Sequence, residues 1–153
     1  MRTIIQVMMA ILMIVMPLAA NAKSRPVDLM SRVDSQHCIA SAIYYEAMGE
    51  SRQGKIAVAY VIINRMKSGK FASTPCGVVY QKGQFSWINP RYRTLVYSPA
   101  MWAESMEIAQ LVLDGKVEDS SNGAMYFHNR RVHPAYARTH KVVATLGQHV
   151  FRK

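Results

Sequence analysis

Apolar residues recur at helical spacing from Val33 to Met48, and Ile39, Ala42 and Ile43 share one stripe with Glu46. The pattern predicts a helix over 33–48, with Ser31 or Asp34 as its N-cap. Gly49 follows, the residue type that usually stands just past a helix end, which puts Glu46 in the last turn. A second helix is predicted from Ser51, its cap, through Ile56, Ala57, Ala59, Tyr60, Ile63 and Asn64 to about Ser68-Gly69. Arg65 and Lys67 suit the negative end of its dipole. This helix is apolar nearly all round and is expected to run through the core. A third opens on Ser98-Pro99, cap then first-turn proline. It carries Met101, Trp102, Ile108, Leu111 and Val112 and stops at Asp114-Gly115.

Between the second and third helices the pattern changes. Cys76-Gly-Val-Val-Tyr80 is short and β-branched, and Gln84-Phe-Ser-Trp87 is polar and aromatic. Gly83, Asn89-Pro90 and residues 91–93 read as loop. Strand-like pieces follow at 124–128, 142–146 and 149–151, split by Pro134 and Gly147. Three helices followed by short strands predict an α+β domain, mainly helical, with a small antiparallel β element in the C-terminal part. No internal repeat or low-complexity tract interrupts it.

The first 22 residues follow a different rule. One basic residue, Arg2, precedes an apolar run over 7–18 that closes on Ala20-Asn21-Ala22. This reads as a secretory signal peptide with an A-x-A cleavage site, short for a membrane span, with an uncleaved anchor as the alternative. Export to the periplasm or the exterior is expected. Residues 23–30, with their Lys, Ser, Arg and Pro, read as an exposed lead-in, and 31–153 as one domain. Cleavage after Ala22 would leave 131 residues with 18 basic and nine acidic side chains, a net charge of +9. Outside the cytosol such a surplus points to anionic cell-envelope polymers and not to nucleic acid. In an oxidising compartment Cys38 and Cys76 most simply form one disulfide, contributing about 3–4 kcal/mol by loop closure. The alternatives are a cysteine nucleophile with His128 or His149 as base, or a metal held by Cys38 and histidine. Neither cysteine lies in a short ligand-spaced pair.

Glu46 carries the sharpest chemical signal. A carboxyl at the end of a buried stripe loses hydration, which raises its pKa and keeps it protonated near neutrality. That is the state a general acid needs; the plain alternative is a solvated surface Glu. Gln84, Phe85 and Trp87 combine an amide with flat apolar faces, the pairing that binds sugar rings, and Tyr126, Phe127, His128 and Asn129 repeat it. Core packing is the competing reading for the aromatics. His37, His128, His133, His140 and His149 lack H-E-x-x-H spacing. Glu50 is either a second site carboxylate or an acid at the start of the second helix.

The segment Cys38-Ile-Ala-Ser-Ala-Ile-Tyr-Tyr-Glu-Ala-Met-Gly-Glu50 resembles the opening motif of the SleB-type cell-wall hydrolases, the spore cortex-lytic enzyme family. Gly54-Lys-Ile-Ala-Val-Ala-Tyr-Val-Ile-Ile-Asn-Arg65, Cys76-Gly-Val-Val-Tyr-Gln81 and Gln84-Phe-Ser-Trp87 follow in the family's order. Gly123-Ala-Met-Tyr-Phe-His-Asn129 and Leu146-Gly-Gln-His-Val-Phe151 complete it. The resemblance implies a lysozyme-like catalytic domain over 31–153. It would cut peptidoglycan glycan strands between N-acetylmuramic acid (MurNAc) and N-acetylglucosamine (GlcNAc) as a lytic transglycosylase. Glu46 takes the place of the family's catalytic glutamate. Glu50, Gln84, Phe85, Trp87, Tyr126, His128, Asn129 and His149 are the expected substrate contacts, with no cofactor or metal and a monomeric state. Met48 departs from the family's usual basic residue, and Arg130-Arg131 with Tyr136 from a segment that often carries Trp. A Gram-negative or phage-encoded enzyme is a better expected setting than a spore. The alternatives are a muramidase using Glu50, an N-acetylmuramoyl-L-alanine amidase with zinc on His128, His133 and His149, and a non-catalytic wall-binding module.

Overall fold

The computed structural model describes residues 26–89 and 98–153; the expected leader and residues 90–97 lie outside them. Helix α1 runs Pro26–Ala47, α2 Arg52–Lys67, the short α3 Pro75–Val79 and α4 Pro99–Leu113. Strands β1 (Tyr126–Asn129), β2 (Val142–Leu146) and β3 (His149–Arg152) follow, with 3₁₀ turns at Ser86–Ile88 and Ala135–Arg138. The result is a mainly helical α+β domain with a three-stranded antiparallel sheet of order β1-β3-β2.

The local rules account for most boundaries. Ser51 caps α2 by accepting from the Gly54 N–H at 3.3 Å, and Ser98 caps α4 ahead of Pro99. Helix α1 departs from expectation by starting at Pro26, seven residues before Val33, so part of the expected lead-in is helical. Proline suits a first helical turn, and Ser31 and Asp34 lie inside the helix and not at its cap. The β-branched run after Thr74 is a turn of helix. Thr74 Oγ1 accepts from the Gly77 N–H at 3.1 Å and Pro75 fixes the first turn, so capping outweighs β-propensity here.

Helix α2 is buried on nearly every side, as its apolar circumference predicts. Toward α1, α3 and α4 it packs in a cluster with Ile39, Ile43, Ile62, Val78, Val79 and Ile108. Toward the sheet, Ala57, Val58 and Val61 meet Ala47, Ala124 and Phe151 in a second cluster. The Cys38–Cys76 disulfide ties α1 to α3. Asn64 on α2 donates to the Asp119 carboxylate at 2.9 Å and to the Ala124 carbonyl at 3.1 Å, fixing the chain as it enters β1. Burial raises the Asp119 pKa, but hydrogen bonds from Ser121, Asn64 and Gly123 outweigh it and hold the carboxyl below its ordinary value. No described helix is long and apolar enough to cross a membrane.

Candidate functional site

Glu46 occupies the last turn of α1, above Ile39, Ala42 and Ile43, which are fully buried. The carboxyl therefore stands where the core-facing stripe reaches a cleft. Burial pushes it up from its ordinary value, and the Trp87 indole N–H acts in the opposite direction. That N–H is buried and closes no hydrogen bond of ordinary geometry, so burial wins.

The cleft encloses about 560 Å³ between the ends of α1 and α2 and the outer part of the sheet. Gln84 and Phe85 come from the loop before the first 3₁₀ turn; Tyr126, His128 and Asn129 come from β1 and His149 from β3. Asn129 and His149 face each other in the strand register, which brings residues twenty apart in sequence to one edge. All of these were expected at the site, and the fold gathers them around Glu46.

Two expected contacts sit elsewhere. Trp87 lies in the core, stacked on Tyr45 at 4.7 Å, and offers no face to the cleft. Its link to the site is the indole N–H near Glu46. Glu50 does not line the cleft either. Its carboxylate accepts from the Gln148 N–H at 3.2 Å through both oxygens, inside the β2–β3 turn. Gly147, at φ +55°, makes this possible, because a Cβ there would fall on the Glu50 carboxylate. Glu50 thus clamps the hairpin that carries His149, and it is neither a second carboxylate in the cleft nor only an acid ahead of α2.

The two cleft histidines are held by different means. His128 Nε2 accepts from Arg152 Nε at 3.0 Å, which leaves Nδ1 to donate to the Asn129 carbonyl at 3.0 Å. Both ring nitrogens are engaged, and the Arg152 guanidinium is fixed in turn by the Ala137 and His140 carbonyls. For His149, burial lowers the pKa; Glu50 pulls it back up and His128 adds to the lowering. Its Nδ1 is buried without a partner. His133 is exposed and outside the cleft. The described residues hold no group of three His, Cys, Asp or Glu arranged for a metal.

Arg65 and Tyr136 also line the cleft, where the sequence offers Arg65 only as a helix-end cation and Tyr136 only as a departure from the family's pattern. The Tyr136 hydroxyl donates to the Phe127 carbonyl at 2.7 Å, and burial raises its pKa against the pull of Arg65 and Arg152. Arg65 passes for a cation suited to a helix C-terminus, yet it is 5% exposed. The signal for Arg65 was its position, on a helix that is apolar all round. Among the described residues, Glu46 is the one carboxyl in the cleft wall.

A family described as Cell Wall Hydrolase matches residues 49–152; Glu46 stands just ahead of that span. Among curated relatives, a spore cortex-lytic enzyme of Oceanobacillus iheyensis is 33% identical over 118 residues, covering 75% of this chain and 40% of the relative. One of Bacillus cereus is 30% identical over 118 residues, covering 75% and 42%. The chain thus spans about two-fifths of the length of these relatives. The catalytic domain of the germination-specific lytic transglycosylase SleB from Bacillus anthracis superposes with a TM-score of 0.66 at 25% identity, covering 87% of this chain and 98% of that one. The catalytic domain of Bacillus cereus SleB gives 0.63 at 24%, covering 79% and 91%. Matched over two-thirds of its length, and folded as these catalytic domains are, the chain belongs to the cell wall hydrolase family.

Proposed function

We propose that this protein cuts peptidoglycan glycan strands between MurNAc and GlcNAc as a lytic transglycosylase, with Glu46 as its single acid and base. One observation carries the reading: a carboxyl whose pKa is raised by burial stands in a cleft whose described walls contain no second carboxylate. Residues 90–97 carry no acid either. Two-carboxylate glycosidases need a nucleophile or a base to activate water, and Glu50, the nearest candidate in sequence, is engaged with the Gln148 amide.

Protonated Glu46 donates to the oxygen joining MurNAc to GlcNAc as that bond breaks, and positive charge develops at the sugar carbon. The Glu46 carboxylate then takes the proton of the muramic C6 hydroxyl, whose oxygen closes a 1,6-anhydro ring. No water enters, and the acid is restored. Gln84, Phe85, Tyr126, Asn129 and the neutral His149 bind the sugar rings, and His128 holds the β1 edge in place. Residues 1–22 serve as an export signal, the net charge holds the enzyme near anionic envelope polymers, and the chain acts as a monomer.

The test is digestion of purified peptidoglycan by the wild type and Glu46→Gln, with products weighed by mass spectrometry. Anhydro-muropeptides from the wild type alone are expected. Reducing muramic ends would assign a muramidase, free stem peptides an amidase, and unchanged activity in the variant would remove Glu46 from the chemistry.

A further inference from the structure

Arg65 is a buried cation without an anion. Its Nε donates to the Met125 carbonyl at 2.7 Å, and the guanidinium carbon lies 5.1 Å from the Phe71 ring centre, 6.0 Å from Phe85 and 5.9 Å from Tyr126. Nη1 is buried with no hydrogen-bond partner. Among the described residues no carboxylate forms an ion pair with it. Glu46 shares the cleft but does not neutralise it. A guanidinium paired with that carboxyl would lower its pKa, and the shift is upward. The aromatic faces and one carbonyl compensate only part of the cost of burying the charge. No other described residue of the cleft wall is a carboxylate that could balance it.

We infer that Arg65 binds a carboxylate of the strand being cut, and so makes the enzyme selective for strands that bear one in the cleft. The inference rests on the glycan-cutting reading above. An uncompensated guanidinium with an unused donor is complementary to a carboxylate. Two sources share that chemistry: the lactyl carboxylate of a muramic acid whose stem peptide has been removed, and a carboxylate on the stem itself. If the lactyl group is the ligand, a reaction that hydrolyses the stem amide must act first on the strand.

The surface charge of the protein would also favour anionic strands, but exposed charges are screened at high salt and a buried contact much less so. Binding of soluble glycan fragments is therefore measured at about 0.5 M salt, where the Debye length is only a few ångströms. Three fragments are compared: stem-bearing, stem-free, and stem-free with its carboxylates amidated. The amidated fragment is expected to bind more weakly, by about tenfold or more, than the fragment that supplies the carboxylate, the worth of a hydrogen bond to a charged group. Whichever unamidated fragment binds tightly identifies the source. Arg65→Gln should bind all three alike, Arg65→Lys should keep part of the preference, and Arg138→Gln, a change on the exposed surface, should keep all of it.

Equal affinity of the wild type for all three fragments overturns the inference, and this comparison stands even if the Arg65 variants do not fold. The same samples are then digested. Selective binding without anhydro products would retain the carboxylate site and remove the transglycosylase reading. Anhydro products with no selectivity would do the reverse.

Discussion

The two walls of the cleft differ in what sets their chemistry. On the helical wall, Glu46 and Arg65 stand near the ends of α1 and α2, and loss of water governs both: burial raises the carboxyl and lowers the guanidinium. On the sheet wall, groups are held in orientation by hydrogen bonds. Arg152 fixes the His128 tautomer, and Glu50 fixes the turn before His149. Reactivity requires desolvation, which a core-facing helical stripe provides wherever it reaches a surface. Recognition requires orientation, which a small sheet provides only when its turns and edges are pinned. Changes at Glu46 should therefore act on kcat, and changes in the sheet wall on KM and stability.

The largest effect tests the helical wall directly. Glu46→Gln should lower kcat on the order of 10³-fold, the scale of a lost general acid. The melting temperature should hold or rise, since a desolvated carboxyl is removed. A fall in melting temperature with kcat intact would move the chemistry elsewhere. Next comes the covalent tie on the same side. Cys38→Ala opens a loop of sequence separation 38 and should cost about 4 kcal/mol by chain entropy, read in urea unfolding. Below its melting range the variant should keep its kcat; a loss of turnover without a loss of stability would link the tie to the cleft.

Gly147→Ala probes the sheet wall. The added methyl meets the Glu50 carboxylate at a backbone φ of +55°, and a loss of about 2–3 kcal/mol is expected. KM should rise more than kcat falls, because His149 is displaced and Glu46 is not. Equal damage to both parameters would erase the distinction between the walls.

The smallest effect is titration. With its folded pKa raised, Glu46 contributes stability that is present at low pH and lost as pH rises through that raised value, and turnover should fall over the same range. His149 has the opposite sign. Its folded pKa is depressed from 6.5, so its contribution is present above that value and lost as pH falls below it. His149→Phe should flatten the acid side of the stability profile. An unchanged acid side would show that His149 is not the group that charges.

The helical wall was the more legible because its signals are local. A stripe, Ser51, and Ser98-Pro99 each act within one or two turns, and they place Glu46 from a dozen residues of sequence. The start of α1 escaped because 26–32 lacks the apolar period, although Pro26 is itself a start signal. Arg65 escaped for a different reason. Its burial depends on Met125, Tyr126 and Phe85, and a helix wheel shows only a cation near a C-terminus. Glu50 and Trp87 were picked out as important, but their roles depend on partners that no spacing rule supplies. For Glu50 the partner amide is 98 residues away.

The sheet order has a consequence for how the molecule is made. In the order β1-β3-β2, β3 is the strand in the middle, so neither β1 nor β2 has a ladder partner until His149–Arg152 is in place. A growing chain carries Glu46 for about a hundred residues before the opposite wall can close. Long-range strand pairing is slow beside helix formation, so the helical wall is expected to form before the sheet wall. A chain cut short of β3 would lack the His149 side of the cleft and the shared partner of both outer strands.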